Sequence, residues 1–404
     1  MPTNLMRWVD RWIGSFCCAL LSAWRLVLGR TRPADGAPRN IVFIALAEVG
    51  ALVLAYPAIA RTRRLFPDSK LHFVTFAAGT QMLDVMGFAA ETRIILDPSS
   101  PGTLWHGTWA ALAHMRAARI DTVVVLEVYG RFSTMLGYLG GARRRVGFHR
   151  FHEEGHYLGA LYTHRVIYNP HMHIARSYVA LVEAMAEDSD AEPRAKVAIP
   201  ADLERLRWQP PEDVTRSARD KLARRAPGLR ADQRIVILNA NASDLIPQRR
   251  WAAQKYVDVA RRLLADERVI VVLSGSAGER AAAEAIGTAI GSERAIVLAG
   301  ETSLTELIAL FGFADLLITN DSGPAHFASL TDLPTLVLFG PETPRIFGPL
   351  GPHQRALYAQ LACSPCVSVY NQKRSPCGAN ECMRAITPES VYAAAQQILL
   401  ARRS

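Results

Sequence analysis

No G-x-G-x-x-G follows the first apolar, β-branched run, Ile41–Leu46, and no acidic residue is placed for a ribose in that unit. Both absences argue against a nicotinamide-dependent enzyme. The uncharged N-terminal run, residues 12–24, falls short of the ~20 apolar residues that span a bilayer. Six cysteines in 404 residues are too few for a disulfide scaffold. Short-period repeats and low-complexity tracts are missing, as are RNP, zinc-finger and helix-turn-helix signatures, so nucleic acid is not an expected partner. The chain is half apolar and 21% charged, with Lys+Arg exceeding Asp+Glu by 46 − 37 = 9. That composition excludes a disordered chain and suits anionic partners such as nucleotides, phosphorylated lipids or a membrane face.

At the N-terminus, Trp8, Val9, Trp12, Ile13, Phe16, Leu20, Trp24, Val27 and Leu28 recur at three- and four-residue steps and share one helix face. Arg7, Arg11, Arg25, Arg30 and Arg32 flank or oppose it. Tryptophans and arginines on one amphipathic helix suit a headgroup boundary. Two other readings stand beside this one: a helix packed on its own protein, and a signal peptide. Asp10 in the would-be n-region, Trp24 and Arg25 near the would-be cleavage site, and the missing A-x-A argue against the last. Residues 29–39 read as a linker.

From residue 40 short strand-like runs alternate with helical periods. Strands are expected at Ile41–Leu46, Leu71–Phe76, Arg93–Leu96, Thr122–Leu126 and Arg145–Phe148. After a polar, proline-containing connector over 187–233, more follow at Arg234–Asn239, Arg268–Leu273, Ala295–Leu298, Leu316–Thr319 and Thr335–Phe339. This alternation predicts two α/β halves with doubly wound parallel sheets, facing across a cleft, with ligands at strand C-terminal ends.

The strongest local signal is Asp321-Ser322-Gly323-Pro324-Ala325-His326, a strand end running into a helix. A small-residue turn there offers free N–H groups and a positive dipole end to a diphosphate, while Asp321 could accept from sugar hydroxyls. The plain alternative is a helix cap with a space-saving glycine. A second glycine-proline turn, Phe339-Gly340-Pro341-Glu342-Thr343-Pro344, falls after the next strand. Together these resemble the C-terminal signature of the heptosyltransferase-like glycosyltransferases of family 9. Leu298–Leu304, Leu273–Glu279, Asn241-Ala242-Ser243 with Arg249-Arg250-Trp251, and Gly50 through Pro67 resemble further segments of that family in the right order, from about residue 40 to 400.

The resemblance implies a GT-B architecture of two Rossmann-like domains, with the acceptor on the N-terminal one and the donor on the C-terminal one. The expected division is 1–39 for a membrane-surface helix and linker, 40–215 for the acceptor side, 216–386 for the nucleotide-sugar side, and 387–404 for a helix packing back toward the N-terminal domain. It implies an inverting, metal-independent transfer from a nucleotide-diphospho-sugar to a hydroxyl of a lipid-linked or cell-envelope glycan such as lipopolysaccharide core. No cofactor is expected. Donor residues carried over are Asp321, Ser322, Gly323 and His326, with Ser243, Arg249, Arg250 and Glu279. Arg249 stands where the family commonly has a phosphate-binding Lys, and Glu279 matches a ribose-holding carboxylate. Tyr129 and Arg131, at a strand end, are acceptor-side candidates.

One departure matters. The family's first loop usually reads G-D, its Asp the proposed general base, whereas here Ala51 follows Gly50. Glu48, two residues before Gly50, is the expected replacement. The alternative is a non-catalytic, membrane-associated descendant that binds nucleotide or glycan. Cys363, Cys366, Cys377 and Cys382 open with a C-x2-C spacing, but the second pair is loose. A zinc knuckle and reduced or paired loop cysteines both stand, and neither touches the proposed chemistry. The expected location is cytoplasmic, peripheral on the inner membrane.

Overall fold

The computed structural model describes residues 3–27, 36–46, 49–187, 191–230 and 232–401. The chain divides into two compact units, one ending at Glu204 and the other starting at Arg205. That is earlier than the expected boundary at 215. The connector joins the second unit because the Arg205 guanidinium donates to the Ser329 carbonyl (3.2 Å) and the Trp208 N–H donates to the Leu330 carbonyl (3.0 Å).

In the first unit the elements run α1 (Thr3–Val27), β1 (Asn40–Ala45), α2 (Val49–Leu65), β2 (Lys70–Phe76), α3 (Thr80–Val85), β3 (Arg93–Leu96), α4 (Pro101–Ala117), β4 (Thr122–Val125), α5 (Arg131–Leu139), β5 (Arg144–Phe148), β6 (His164–Val166) and α6 (Ile174–Ala186). All strands pair in parallel, in the order β3-β2-β1-β4-β5-β6. Strands buried on both faces need continuous apolar runs, and Ile41–Ile44 and Thr122–Val125 supply them. Helices α2, α3 and α6 form one layer, with Arg61 on α2 paired to Glu183 on α6 at 2.6 Å. Helices α4, α5 and α1 form the other, α5 touching both neighbours. β6 and α6 are elements the sequence reading did not expect.

The second unit runs α7 (Glu212–Arg225), β7 (Arg234–Asn239), α8 (Ala253–Leu263), β8 (Val269–Leu273), α9 (Arg280–Ile290), β9 (Ala295–Val297), α10 (Leu304–Phe313), β10 (Leu316–Asn320), α11 (Gly323–Ala328), β11 (Thr335–Phe339), α12 (Pro344–Phe347), β12 (Gln354–Tyr358), α13 (Glu381–Arg384) and α14 (Pro388–Ala401). Its sheet is again parallel, ordered β12-β11-β10-β7-β8-β9. In each unit the order reverses beside the first strand, which puts a topological switch point between β1 and β4 and another between β7 and β10.

Helix α14 was expected to pack back toward the N-terminal domain. Within the second unit it packs on α8, β10 and β11, and Val391, Ala394, Ala395 and Leu399 enter the same core as Trp251 and Tyr256. Apolar residues at three- and four-residue steps give that helix one face to bury, and its own sheet covers it.

Helix α1 is part of the first unit. Its inward stripe is Asp10, Gly14, Cys18 and Ser22, spaced by four. Asp10 accepts from the buried Arg131 guanidinium (3.2 Å) and the Phe132 N–H (3.1 Å). The Ser22 hydroxyl accepts from the Ala160 N–H (2.8 Å). Gly159 lets the backbone in: it has φ +66°, and a Cβ there would lie 2.7 Å from the Cys18 carbonyl oxygen.

Candidate functional site

The C-terminal ends of β7 and β10 are joined by Asn320, which is fully buried. Its side-chain oxygen accepts from the Trp251 N–H and the Tyr256 hydroxyl, each at 3.1 Å. Its Nδ2 donates to the carbonyls of Ala240 (2.9 Å) and Asn241 (3.3 Å). All the hydrogen-bonding capacity of the amide is spent holding the loop after β7 against β10. Asn239 does the same one strand over, donating to the Ser274 carbonyl at 3.1 Å. The switch point of the second sheet is therefore a rigid frame.

Asp321 sits on that frame, 3% exposed, and its Oδ2 has no hydrogen-bond partner. Glu342, after β11, is 2% exposed, and its Oε1 is likewise without a hydrogen bond. Arg249 ends a 3₁₀ turn (Pro247–Arg249), is buried, and brings Nη1 to 3.6 Å from Glu342. The Lys373 amine lies 4.0 Å from Glu342 Oε1. Burial raises the Asp321 pKa well above its ordinary value. The charge of Glu342 raises it further, and Arg249 and then Lys373 work against that. Burial and the neighbouring Glu342 carboxylate both favour the protonated form of Asp321. A cation and two acids buried together, with two oxygens left unbonded, form a cluster able to take hydroxyls from outside.

The other predicted donor residues gather around the same strand ends, several already engaged. Ser322 caps α11 by backbone position, and its hydroxyl donates to the Asn320 carbonyl at 3.2 Å. Helix α11 has only six residues, under two turns, so its dipole is weaker than the sequence reading required. Gly323 sits against the Phe327 ring, which an added Cβ would approach at 3.1 Å. His326 is buried one turn further on, its carbonyl accepting from the Ser329 hydroxyl (2.6 Å). The Ser243 hydroxyl accepts from the Leu245 N–H (3.2 Å). Arg250 folds back on that loop, donating from Nε (3.0 Å) and Nη2 (2.7 Å) to the Ala242 carbonyl and pairing with Asp244. Glu279 closes a capping box, its carboxylate accepting from the Ser276 N–H (2.7 Å) and hydroxyl (2.8 Å). It lies beside Gly275, whose added Cβ would come 3.3 Å from both Glu279 and the Asn241 side chain.

On the first unit the two acceptor-side candidates part company. Tyr129 is at the switch point, buried, with φ +60° and its ring centre 5.8 Å from that of His156. A tyrosine in the left-handed region is strained and needs packing to hold it. Arg131 is buried, and its Nη1 donates to Asp10 at 3.2 Å, which ties α1 to this strand end. Glu48 lies outside the described residues. The Leu46 N–H just before it donates to Glu127 at the end of β4. All six cysteines are free thiols, and among the described residues no group of three or more His, Cys, Asp or Glu is arranged to hold a metal.

Asn320, Glu342 and Lys373 escaped the sequence reading. Asn320 directly precedes one of the two motifs it singled out and Glu342 lies within the other, so adjacency was the available signal. Lys373 lies in a loop with none.

A sequence profile for Glycosyltransferase family 9 (heptosyltransferase) matches residues 111–375, well over half of the chain. The chain belongs to glycosyltransferase family 9. Among curated family members it is 30% identical over 177 residues to lipooligosaccharide heptosyltransferase 2 of Campylobacter jejuni, covering 42% of this chain and 53% of that protein. It is 33% identical over 130 residues to lipopolysaccharide heptosyltransferase 2 of Salmonella typhimurium, covering 31% and 37%. These matches span about half or less of those relatives' lengths. The fold resembles the solved E. coli ADP-heptose lps heptosyltransferase II (TM-score 0.69, 22% identity, 90% of this chain and 100% of that one). A family 9 glycosyl transferase from Veillonella parvula is equally similar (TM-score 0.69, 21% identity, 90% and 97%). The expected architecture of two doubly wound α/β domains, the GT-B type of these relatives, is the one observed.

Proposed function

We propose that the chain is an inverting, metal-independent glycosyltransferase. It moves a sugar from a nucleotide-diphospho-sugar to a hydroxyl of a lipid-linked or cell-envelope glycan such as lipopolysaccharide core. The observation that carries this is the buried Asp321–Glu342–Arg249 cluster, with its unbonded Asp321 Oδ2 and Glu342 Oε1, at the switch point of the second sheet. Asp321 and Glu342 take donor sugar hydroxyls. Arg249 supplies charge to the leaving diphosphate, which its planar fork can bind through two oxygens. Glu279 takes the ribose, and Ser243 and the Ser322–Gly323 turn line the phosphate side. The relatives named for ADP-heptose make that donor the first to test.

In the reaction, Glu48 accepts the acceptor hydroxyl's proton. The oxygen attacks the anomeric carbon, and the bond to the diphosphate breaks with inversion. A non-catalytic descendant is the second reading, favoured by Ala51 in place of the usual acid.

The same reading puts the protein at the cytoplasmic face of the inner membrane. Opposite the inward stripe of α1, Trp8, Trp12, Phe16, Leu20 and Trp24 are all exposed. Residues 8 and 10 are two steps of 100° apart, so the helix turns its polar and small side inward and its aromatic side outward. That reverses the usual arrangement in a globular protein and suits an interfacial helix. Among the described residues no helix is long and apolar enough to cross a membrane.

The test is thermal stabilisation by ADP, UDP, GDP, CDP and NAD, then transfer from the matching sugar donor. At ~100 times its dissociation constant a ligand adds about 2.7 kcal/mol. One nucleoside diphosphate should stand out, and Glu48→Gln should then abolish transfer while leaving nucleotide binding intact. No shift with any of them refutes the donor site. Full transfer by Glu48→Gln removes the base assignment.

A further inference from the structure

Helix α4 carries a second outward aromatic pair. Trp105 and Trp109 are 62% and 52% exposed, one helical turn apart, with ring centres 5.7 Å apart edge to face. Five of the seven tryptophans are exposed in this way, all on α1 and α4. The two helices flank α5 in one layer of the first unit. We infer that α1 and α4 together form one bilayer-docking surface, with the Trp105–Trp109 pair a second anchor beside the α1 stripe, and that its occupant is a membrane with anionic headgroups. The inference rests on the interfacial reading of α1 and extends it.

Charge selects the occupant. Helices α4 and α5 contain no Asp or Glu, and the single acid of α1, Asp10, is turned inward onto Arg131. Arg11 stands over the Trp12 ring at 5.3 Å, so a guanidinium and an indole are presented together. Arg116 adds a second cation on these helices, while Arg25 is turned onto the first unit, donating to the Ala160 and Tyr162 carbonyls. A layer with aromatics at its surface and its one carboxylate neutralised complements acidic headgroups over an acyl boundary. Two separated anchors also fix orientation, which one helix lying alone does not, because it can roll about its axis.

The full-length protein is sedimented with vesicles of phosphatidylethanolamine containing 30% phosphatidylglycerol, and with phosphatidylcholine vesicles. Wild type should bind the anionic vesicles and lose binding as salt is raised. Trp105→Ala/Trp109→Ala should lower the partition coefficient by about tenfold or more, while Trp105→Phe/Trp109→Phe keeps most of it. Both rings are exposed, so thermal unfolding should not move. Trp12→Ala/Phe16→Ala should lose binding as well. If that pair alone matters and Trp105→Ala/Trp109→Ala binds like wild type, the two-helix surface is wrong and the α1 reading survives. If wild type binds no vesicle, both fall. If the alanine pair instead changes the mass in sedimentation velocity, a second copy of the chain covers this face and the membrane assignment is overturned.

Discussion

The two units share a strand order and differ in what they place around it. The second unit buries charge at its switch point: Arg249, Asp321 and Glu342 lie at the ends of strands whose flanks are locked by Asn320 and Asn239. The first unit has a strained, buried Tyr129 at the equivalent place, and one of its buried arginines, Arg131, pairs with Asp10 of α1. Outside, the contrast reverses. Among the described residues the exposed tryptophans belong to the first unit, and those of the second, Trp208 and Trp251, are half-buried and buried. On the proposed reading one scaffold serves two tasks. Polar groups at strand ends suit a phosphorylated ligand, while aromatic groups on the helical layer suit a surface. The chemistry is set by side chains at fixed places on a common frame.

The comparison breaks most sharply at Arg249. Arg249→Ala leaves Glu342 and Asp321 buried with only the half-exposed Lys373 nearby, so the second unit should lose about 3–5 kcal/mol and its nucleotide response. Urea unfolding followed by Trp251 fluorescence measures the first, and ADP-dependent melting the second. Adding Glu342→Gln should restore part of the stability but not the binding.

Acid should separate the units next. Burial, and then Lys70, lowers the pKa of His72 from 6.5 to about 4; burial and Arg165 lower that of His149 to about 4; burial and Arg194 lower that of His164 to about 3. All three lie in the first unit. A histidine whose folded pKa is depressed takes its proton in the unfolded chain first. Stability is therefore full above pH 6.5 and falls as pH drops toward 4. The first unit should melt before the second in that window. His72→Phe should recover on the order of 2 kcal/mol at pH 5 and little at pH 8, measured by calorimetry at the two values.

Asp321 works with the opposite sign. Its folded pKa is raised above the ordinary 3.8, so the folded state keeps a proton that the unfolded chain releases, and stability falls as pH rises through that interval. Asp321→Asn, which cannot ionise, should gain stability relative to wild type as pH rises above the ordinary carboxylate range, read by thermal melting across a pH series. Equal pH dependence of the two proteins would contradict the raised Asp321 pKa. The smallest effect is expected at Gly159. Gly159→Ala meets Ser22 and Cys18 at a positive φ and should cost about 1 kcal/mol. Faster proteolysis of α1, with unchanged ADP binding, would separate the tether from the donor site.

Strand limits were legible where apolar runs were long. Arg93–Leu96, Arg234–Asn239 and Thr335–Phe339 match residue for residue. His164–Val166 and Gln354–Tyr358 were missed because they are sheet-edge strands, three residues long in one case and mostly solvent-facing in the other. The donor candidates came from motifs whose members sit within a few residues of one another, and those do gather at neighbouring strand ends. The pairing of Arg131 with Asp10 was not legible, because the two are distant in sequence and nothing in the local pattern announces it.

Alternation of β-branched runs with helical periods determined the two doubly wound sheets, because each run has one way to bury its apolar groups. Periodicity likewise determined that α1 is amphipathic. Only the tertiary structure decided which side of that helix meets the protein. A hydrophobic stripe says where apolar groups lie, not what covers them. Here Asp10, Gly14, Cys18 and Ser22 found specific partners and close backbone contact on the first unit, which left the tryptophans outside.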